Sequence, residues 1–166
     1  ARILAKLNKV RNRWNARDTI VQRIPVTMAK EFLNKHHLWG STNAKFNYGL
    51  FLKRKFAHEE DSLVAVATFS PRRHIKRHYG RMYRSHELIR YCAKKDEVVL
   101  GGITKLLAQF CRDLAPDDIV TCIDRDFGGG TGWEKIGFEK VQVMPPLIMA
   151  VEKKKQSSSI RSVERK

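Results

Sequence analysis

The sequence predicts one domain of mixed α and β structure (α+β), and three observations support this. The chain has 166 residues, which suffices for one well-packed domain and is too short for two ordinary ones. Hydrophobic residues make up 42% of the chain, a share typical of globular proteins. Apolar side chains also recur at strand-like spacing in some segments and at helix-like spacing in others.

The first half of the chain is predicted to contain two helices and three strands. Residues 1–18 are predicted as a basic helix because five apolar side chains lie on or near one face, namely Ile3, Leu4, Leu7, Val10 and Trp14. A strand over residues 20–26 and a helix over residues 27–36 follow, with Thr27 as the N-cap. Strands over residues 46–51 and 63–69 flank a charged hairpin.

The second half contains the most distinctive pattern, a strand followed by a glycine turn and an amphipathic helix. A strand is predicted over residues 85–91, and the turn is Gly101–Gly102. The helix after the turn carries apolar residues at helical spacing on one face: Ile103, Leu106, Leu107, Phe110, Cys111 and Leu114. Pro116 ends the helix, a buried strand is predicted over residues 119–123, and a last strand pair over residues 138–143 and 147–152.

A glycine turn at the start of a helix has a specific chemical use. The first backbone N–H groups of the helix lack intrahelical acceptors and lie at the positive end of the helix dipole. Such a turn can hold a phosphate or pyrophosphate.

Several segments around this turn resemble one protein family. They are Glu-Leu-Ile-Arg-Tyr-Cys at 87–92, Gly-Gly-Ile-Thr-Lys-Leu-Leu at 101–107, Asp124-Arg125, and Gly-x-Glu-Lys-x-Gly-Phe at 132–138. Their order is similar to that in the GNAT acyltransferase superfamily, and most similar to phage Mom-type DNA-modification proteins and their GNAT-like relatives. The resemblance spans roughly residues 60 to 150. The alternative is an unrelated α/β domain in which the glycines only close a tight turn.

The resemblance implies a single GNAT-like domain over residues 19–152, with basic extensions at 1–18 and 153–166. Its sheet would be mixed and twisted, with six or seven strands flanked by helices. It also implies a site for acetyl-CoA or CoA. The pantetheine would lie along the strand that contains Leu88 and Arg90. The pyrophosphate would lie on the turn residues Gly101, Gly102, Ile103, Thr104 and Lys105, where Lys105 adds a positive charge.

Acyl transfer needs a general base for the acceptor and a proton donor for the leaving thiolate. The resemblance places Asp124 and Glu87 best for the base, and Tyr91 can supply the proton. The superfamily often has a Tyr that acts as the general acid shortly before its closing Gly-Phe. This chain has Trp133 there, and an indole N–H cannot serve as that acid. The alternative for Asp124 is a structural capping carboxylate at the end of a strand.

The net charge of +16 is unevenly distributed and indicates a polyanionic partner. Basic residues concentrate at 2–23, 72–90 and 153–166, and residues 71–84 hold six cations with interleaved Tyr and no acid. We therefore predict nucleic-acid contact, with RNA favoured over DNA, although a solvated loop is the alternative for residues 71–84. The predicted contacts are Arg2, Lys6, Lys9, Arg11, Arg13, Arg72, Arg73, Lys76, Arg77, Tyr79, Arg81, Tyr83, Arg84, Lys153, Lys154 and Lys155.

Membrane and metal sites are not expected. No apolar run approaches the roughly 20 residues of a membrane span, and no basic segment carries Trp and Phe opposite its charges. His74 and His78 have metal-ligand spacing but lack carboxylate or cysteine partners nearby. The three cysteines are expected to be reduced core residues.

Two functions remain open at this point. The first is a non-catalytic, RNA-bound component of a large ribonucleoprotein containing other proteins, such as an organellar ribosome. It would be intracellular, with a mitochondrial location favoured. The basic extensions and Trp133 favour it. The alternative is an acyl-CoA-dependent transferase that modifies a nucleobase or a basic protein, which the turn and Asp124 favour.

Overall fold

The computed structural model describes residues 10–53, 62–76, 80–125, 128–145, 149–150 and 161–162. The chain divides into two compact units, Ala1–Asp124 and Arg125–Lys166. The first unit holds the main sheet and its two long helices, and the second holds a short helix and a strand pair.

The first unit is built on a six-stranded mixed sheet. In chain order, the elements of this unit are β1 (Asn12–Asn15), a 3-10 turn (Ala16–Asp18), β2 (Thr19–Arg23), α1 (Val26–His36), β3 (Phe46–Leu52), β4 (Leu63–Phe69), β5 (Arg73–Lys76), β6 (Met82–Ala93), β7 (Glu97–Leu100), α2 (Gly102–Leu114) and β8 (Asp118–Val120). Strands β1 and β7 form a separate two-stranded sheet. The sheet order is β2-β3-β4-β6-β5 with antiparallel neighbours, and β8 runs parallel beside β6. The predicted α+β fold class is confirmed.

Each face of the sheet is covered by one helix. Helix α1 packs Ala29, Phe32 and Leu33 against Val66 of β4. Helix α2 covers the opposite face with Phe110, which is fully buried and stacks on Phe69 with ring centroids 3.9 Å apart. Since side chains alternate along a strand, each strand supplies both cores, and the two faces of β6 point to different surroundings.

The predicted helix over residues 1–18 is wrong for residues 12–18, which form β1 and the 3-10 turn; residues 1–9 lie outside the described residues. Strand β1 pairs in parallel with β7, from Asn12 opposite Glu97 to Asn15 opposite Leu100. The indole N–H of Trp14 donates to the Glu97 carboxylate at 2.8 Å. This long-range pairing outweighs the local helical pattern. Thr27 is not a cap either, because α1 begins at Val26 after Pro25.

The second unit contains α3 (Thr131–Glu134), which ends in a Schellman motif. Gly137 has φ 97°, its N–H donates to the Glu134 carbonyl, and the Phe138 N–H donates to the Trp133 carbonyl at 3.1 Å. The rings of Trp133 and Phe138 meet edge to face at 5.4 Å, the hydrophobic contact typical of this motif. Trp133 therefore has a structural role in ending α3.

The predicted strand pair at the end of the chain is only partly present. Residues 138–143 form no strand, and Val141 is 83% exposed, so their apolar pattern covers no core. Within residues 147–152, β9 (Met149–Ala150) pairs antiparallel with β10 (Arg161–Ser162). Of the predicted basic tail, residues 153–166, the structure describes only the two residues of β10.

No disulfide joins the three cysteines; Cys92 is half-buried, whereas Cys111 and Cys122 are exposed. The expectation that all three lie in the core is wrong for these two. Among the described residues, no helix has the length and apolar character needed to cross a membrane.

Candidate functional site

The central feature of the candidate site is the point along β6 at which its pairing with β8 ends. The parallel pairing of β6 with β8 ends at Glu87 opposite Val120. A β-bulge interrupts the β4–β6 pairing at the same level, between Thr68 opposite Arg90 and Phe69 opposite Leu88. Bulges of this kind re-aim side chains and occur next to active sites. From Leu88 onward, β6 therefore has an edge that β8 no longer covers.

One side chain still connects the two strands at the point where β6 and β8 separate. The hydroxyl of Thr121, just after β8, donates to the carbonyl of Leu88 at 2.9 Å. Beyond it, the backbone of residues 89–91 lies along the uncovered edge of β6. This is the strand on which the resemblance placed the pantetheine.

The glycine turn opens α2 as predicted. Gly101 has φ 71°, and a Cβ on Gly102 would lie 3.0 Å from Val99 and 3.1 Å from the Leu50 side chain. Both glycines therefore have structural reasons to be glycine. The Lys105 N–H donates to the Gly101 carbonyl at 3.0 Å, so the amides of residues 102–104 have no acceptor within the helix.

The Lys105 side chain is directed away from this turn. Its ammonium group donates to the carbonyls of Ala16 and Thr19, with a distance of 2.7 Å to the former. Burial and the nearby Lys53 lower its pKa, while Asp18 raises it. Lys105 thus joins α2 to the 3-10 turn, and its role as a phosphate ligand stays a prediction.

A polar cluster surrounds Glu87 on the α1 side of the sheet. Alternation and register place Thr68, Ser85, Glu87 and Arg90 on the same face as Val66. Oε2 of Glu87 accepts a hydrogen bond from Arg73 at 2.9 Å, and its side chain is 27% exposed.

Three side-chain atoms of this cluster are buried without any partner among the described residues. They are Oγ1 of Thr68, Oγ of Ser85 and Nε of Arg90. Burying a polar atom without a hydrogen bond costs about 1–3 kcal/mol. Buried polar atoms of this kind are usually satisfied by ordered water or by a ligand. Sequence analysis missed Thr68 and Ser85, because no local pattern marks them.

Tyr91 and Asp124 are not members of this cluster. Tyr91 pairs with Ala67 and lies on the other face of β6, where burial, with a smaller effect of Cys92, raises its pKa to about 12. Its phenol is therefore protonated at neutral pH. Asp124 is exposed and follows the end of β8. The catalytic roles of both residues stay predictions.

The predicted nucleic-acid contacts fall partly on a two-stranded ribbon that the sequence did not predict. Strand β5 pairs with Met82–Ser85 of β6, and five cations on or beside this pairing are exposed: Arg72, Arg73, Lys76, Arg81 and Arg84. Arg11 and Arg13 are also exposed, and Tyr83 lies 5.6 Å below the Arg81 guanidinium. The remaining predicted contacts lie outside the described residues: Arg2, Lys6, Lys9, Arg77, Tyr79, Lys153, Lys154 and Lys155.

An ion pair connects this ribbon to the segment before β8. Arg84 binds both oxygens of Asp117, at 2.9 and 3.1 Å, and its backbone N–H also donates to Asp117 at 2.7 Å. These hydrogen bonds hold the pKa of Asp117 well below its usual range. The pair therefore persists into acid, and it fixes the end of the ribbon that lies next to Glu87.

No three His, Cys, Asp or Glu side chains lie close enough to hold a metal ion in the part of the chain that the structure describes. The prediction that the protein has no metal site stays a prediction.

Comparison with known proteins gives one structural relationship. No family model matches the chain, and no curated protein matches it. A solved structure, that of a candidate acetyltransferase from Deinococcus radiodurans R1, superposes with a TM-score of 0.53 over 79% of this chain and 89% of that one. The chain has a GNAT-like fold. Since only 10% of residues are identical, the similarity establishes the fold and not the activity.

Proposed function

We propose that this protein is an acyltransferase of the GNAT superfamily that uses acetyl-CoA or a related acyl-CoA. The observation that carries the proposal is the divergence of β6 and β8 at Glu87, beside a bulge and three unpaired buried polar atoms. The fold shared with a candidate acetyltransferase supports it. A GNAT-like fold alone would not, because folds host unrelated functions.

The residues present fit an acyl-CoA. The amides of residues 102–104 at the start of α2 suit the pyrophosphate, and the uncovered edge at residues 89–91 suits the amide groups of the pantetheine. Arg90 has a buried Nε–H with no acceptor in the part of the chain that the structure describes, which suits a carbonyl oxygen. Bound acyl-CoA supplies an acyl group activated as a thioester.

Glu87 is the proposed general base. Arg73 holds Oε2 and fixes the carboxylate, while no described residue bonds to Oε1, so this oxygen can accept the proton of the acceptor amine. Tyr91 lies on the other face of β6 from Glu87, and the proposed proton source for the leaving thiolate is a water molecule. Asp124 is the rival base.

A second candidate function is a non-catalytic, RNA-bound component of a large assembly with other proteins, as in an organellar ribosome. The exposed cations of the β5–β6 ribbon favour it. Gly101 and Gly102 are also explained by backbone conformation and close packing, without a cofactor. A Mom-type modification of a DNA base is the more specific form of the enzymatic proposal.

Release of free thiol from acetyl-CoA tests the enzymatic proposal. The protein is mixed with acetyl-CoA and one acceptor at a time: a lysine-rich peptide, a polyamine, single-stranded RNA or DNA. We expect thiol release to rise at least about tenfold over the rate without protein for one acceptor class, since positioning and base catalysis each contribute more than that. Release at the background rate with every acceptor would favour the non-catalytic candidate.

A further inference from the structure

A cavity lies on the opposite face of the sheet from the Glu87 cluster. It has a volume of about 200 Å³ and is lined by Lys45, Phe46, Arg72, His86 and Leu114. Leu114 is the last residue of α2, about 18 Å along the helix from the glycine turn at 1.5 Å per residue. The cavity is therefore separate from the proposed acyl-CoA site, and no part of the proposed function uses it.

His86 is the buried polar group of this cavity. It is 3% exposed, and its Nδ1 lies 3.0 Å from the carbonyl oxygen of Ser70. Because a carbonyl oxygen only accepts hydrogen bonds, Nδ1 carries a proton. The ring is also fixed by edge-to-face contacts with Phe110 at 5.1 Å and Phe46 at 5.7 Å.

The second ring nitrogen of His86 is the one available to a ligand. Nε2 forms no hydrogen bond with the described residues, and His86 lines the cavity, so Nε2 is the ring nitrogen left for a ligand there. As a neutral ring it accepts a hydrogen bond from a hydroxyl or amine, and as a cation it donates to an oxyanion.

Positive charge surrounds the opening. The Lys45 ammonium lies 5.8 Å and the Arg23 guanidinium 5.2 Å from the centre of the Phe46 ring, and Arg72 lines the cavity directly. No carboxylate is among the described residues that line it; Asp113 of α2 is occupied by the Tyr48 hydroxyl and the Gln109 amide. An anionic ligand is therefore favoured.

The charges continue from the cavity onto the ribbon. Residues opposite each other in an antiparallel pair share a face, so His74, Arg84 and then Lys76 lie on the same face as His86. Arg84 is held by Asp117, so Lys76 supplies the positive charge on this part of the ribbon. A small free anion would not need this track. A strand with phosphates at regular intervals would use it.

We propose that this cavity binds one phosphate and the adjoining sugar of a single-stranded nucleic acid whose neighbouring phosphates follow the β5–β6 ribbon. Lys45 and Arg72 contact the phosphate, Nε2 of His86 contacts the same nucleotide, and Phe46 and Leu114 form the apolar walls. A flexible single strand can insert a nucleotide into a recess, whereas a stacked duplex presents its backbone only at the surface.

The test measures binding of a labelled short oligouridylate by fluorescence anisotropy at several salt concentrations, without acetyl-CoA. We expect K45A and R72A each to weaken binding roughly tenfold, because each loses a charged contact to phosphate. Each should also lower the slope of log affinity against log salt by about one. The matched control K30A removes an exposed lysine from α1, on the other face, and should change affinity less than about twofold.

An NMR signal of the His86 ring distinguishes binding in this cavity from a general effect of surface charge. The Cε1–H signal of His86 should shift on saturation with the oligouridylate, and H86Q should weaken binding without changing the salt slope. If H86Q does not fold, the shift and the Lys45 and Arg72 variants decide the matter.

The proposal is overturned if the His86 signal does not move, or if K45A and R72A bind like K30A. It is also overturned if inorganic phosphate alone binds as tightly as the strand, which would make this a site for a small anion. Loss of acyl transfer has no bearing on these outcomes.

Discussion

Replacing Glu87 by Gln is expected to lower kcat for acyl transfer by about 10²–10⁴, the usual contribution of a general base. The amide keeps an oxygen for Arg73, which lies 2.9 Å from the carboxylate, so the geometry of β6 should persist. Affinity for acetyl-CoA should change less than about twofold, because the acyl-CoA would lie on the edge beyond the bulge. The measurement is thiol release from acetyl-CoA with the acceptor class that supports transfer.

Two variants make this prediction specific. E31Q removes an exposed carboxylate from α1 and should leave kcat unchanged. D124N removes the rival base and should lower kcat far less than E87Q does. If E87Q transfers within about threefold of the parent protein and D124N loses the activity, Asp124 is the base and the assignment of Glu87 is wrong.

Replacing Phe110 by Ala is expected to lower the free energy of unfolding by about 3–5 kcal/mol, the usual cost of emptying a buried aromatic site. Phe110 is fully buried, stacks on Phe69 at 3.9 Å, and meets the rings of Phe46, Tyr48 and His86 edge to face. Its loss therefore removes the contacts that join α2 to three strands.

Urea denaturation of the intact chain measures this effect. The control L38A truncates a side chain that is 63% exposed after α1 and should change stability by less than about 0.5 kcal/mol. A loss below about 1 kcal/mol for F110A would show that α2 is not held to the sheet by this residue. Because Phe110 also supports His86, F110A should weaken oligouridylate binding as well.

The sequence predicted local features well where one segment contains the whole signal. Helix α2 and the glycine turn before it are found as expected, with Leu106 and Phe110 buried, because helical periodicity and backbone constraints act within a few residues. The strands β3 and β4 are also found, each within one residue of its predicted ends.

Features that depend on distant partners could not be predicted this way. The pairing of β1 with β7 joins residues more than eighty positions apart, as in the hydrogen bond from Trp14 to Glu97. The bulge opposite Thr68 and the loss of β8 beyond Glu87 are properties of the assembled sheet. The His86 cavity likewise combines residues from four separate segments.

Lys105 shows how far the contacts of a site residue can be predicted from sequence. Its position beside the turn is correct, but its ammonium group binds the carbonyls of Ala16, in the 3-10 turn, and of Thr19, the first residue of β2. A sequence motif fixes where the Cα lies and leaves the long side chain to the tertiary environment.

Binding of acetyl-CoA to the start of α2 is the most direct test of the central claim. The amide resonances of Gly102, Ile103 and Thr104 are followed by NMR during a titration with acetyl-CoA, together with the Nε–H of Arg90. We expect saturable binding, with a Kd on the order of micromolar to millimolar, the range of typical substrate KM values.

A pair of variants at one exposed position sharpens the result. T104E places a negative charge in the first turn of α2, where it suits the helix dipole but repels a pyrophosphate, and T104Q is its neutral match. We expect T104E to lose at least about tenfold in affinity for acetyl-CoA relative to T104Q, since it adds a like charge at the anion site. Unshifted amides at saturating acetyl-CoA, or equal affinities of T104E and T104Q, would contradict the proposal.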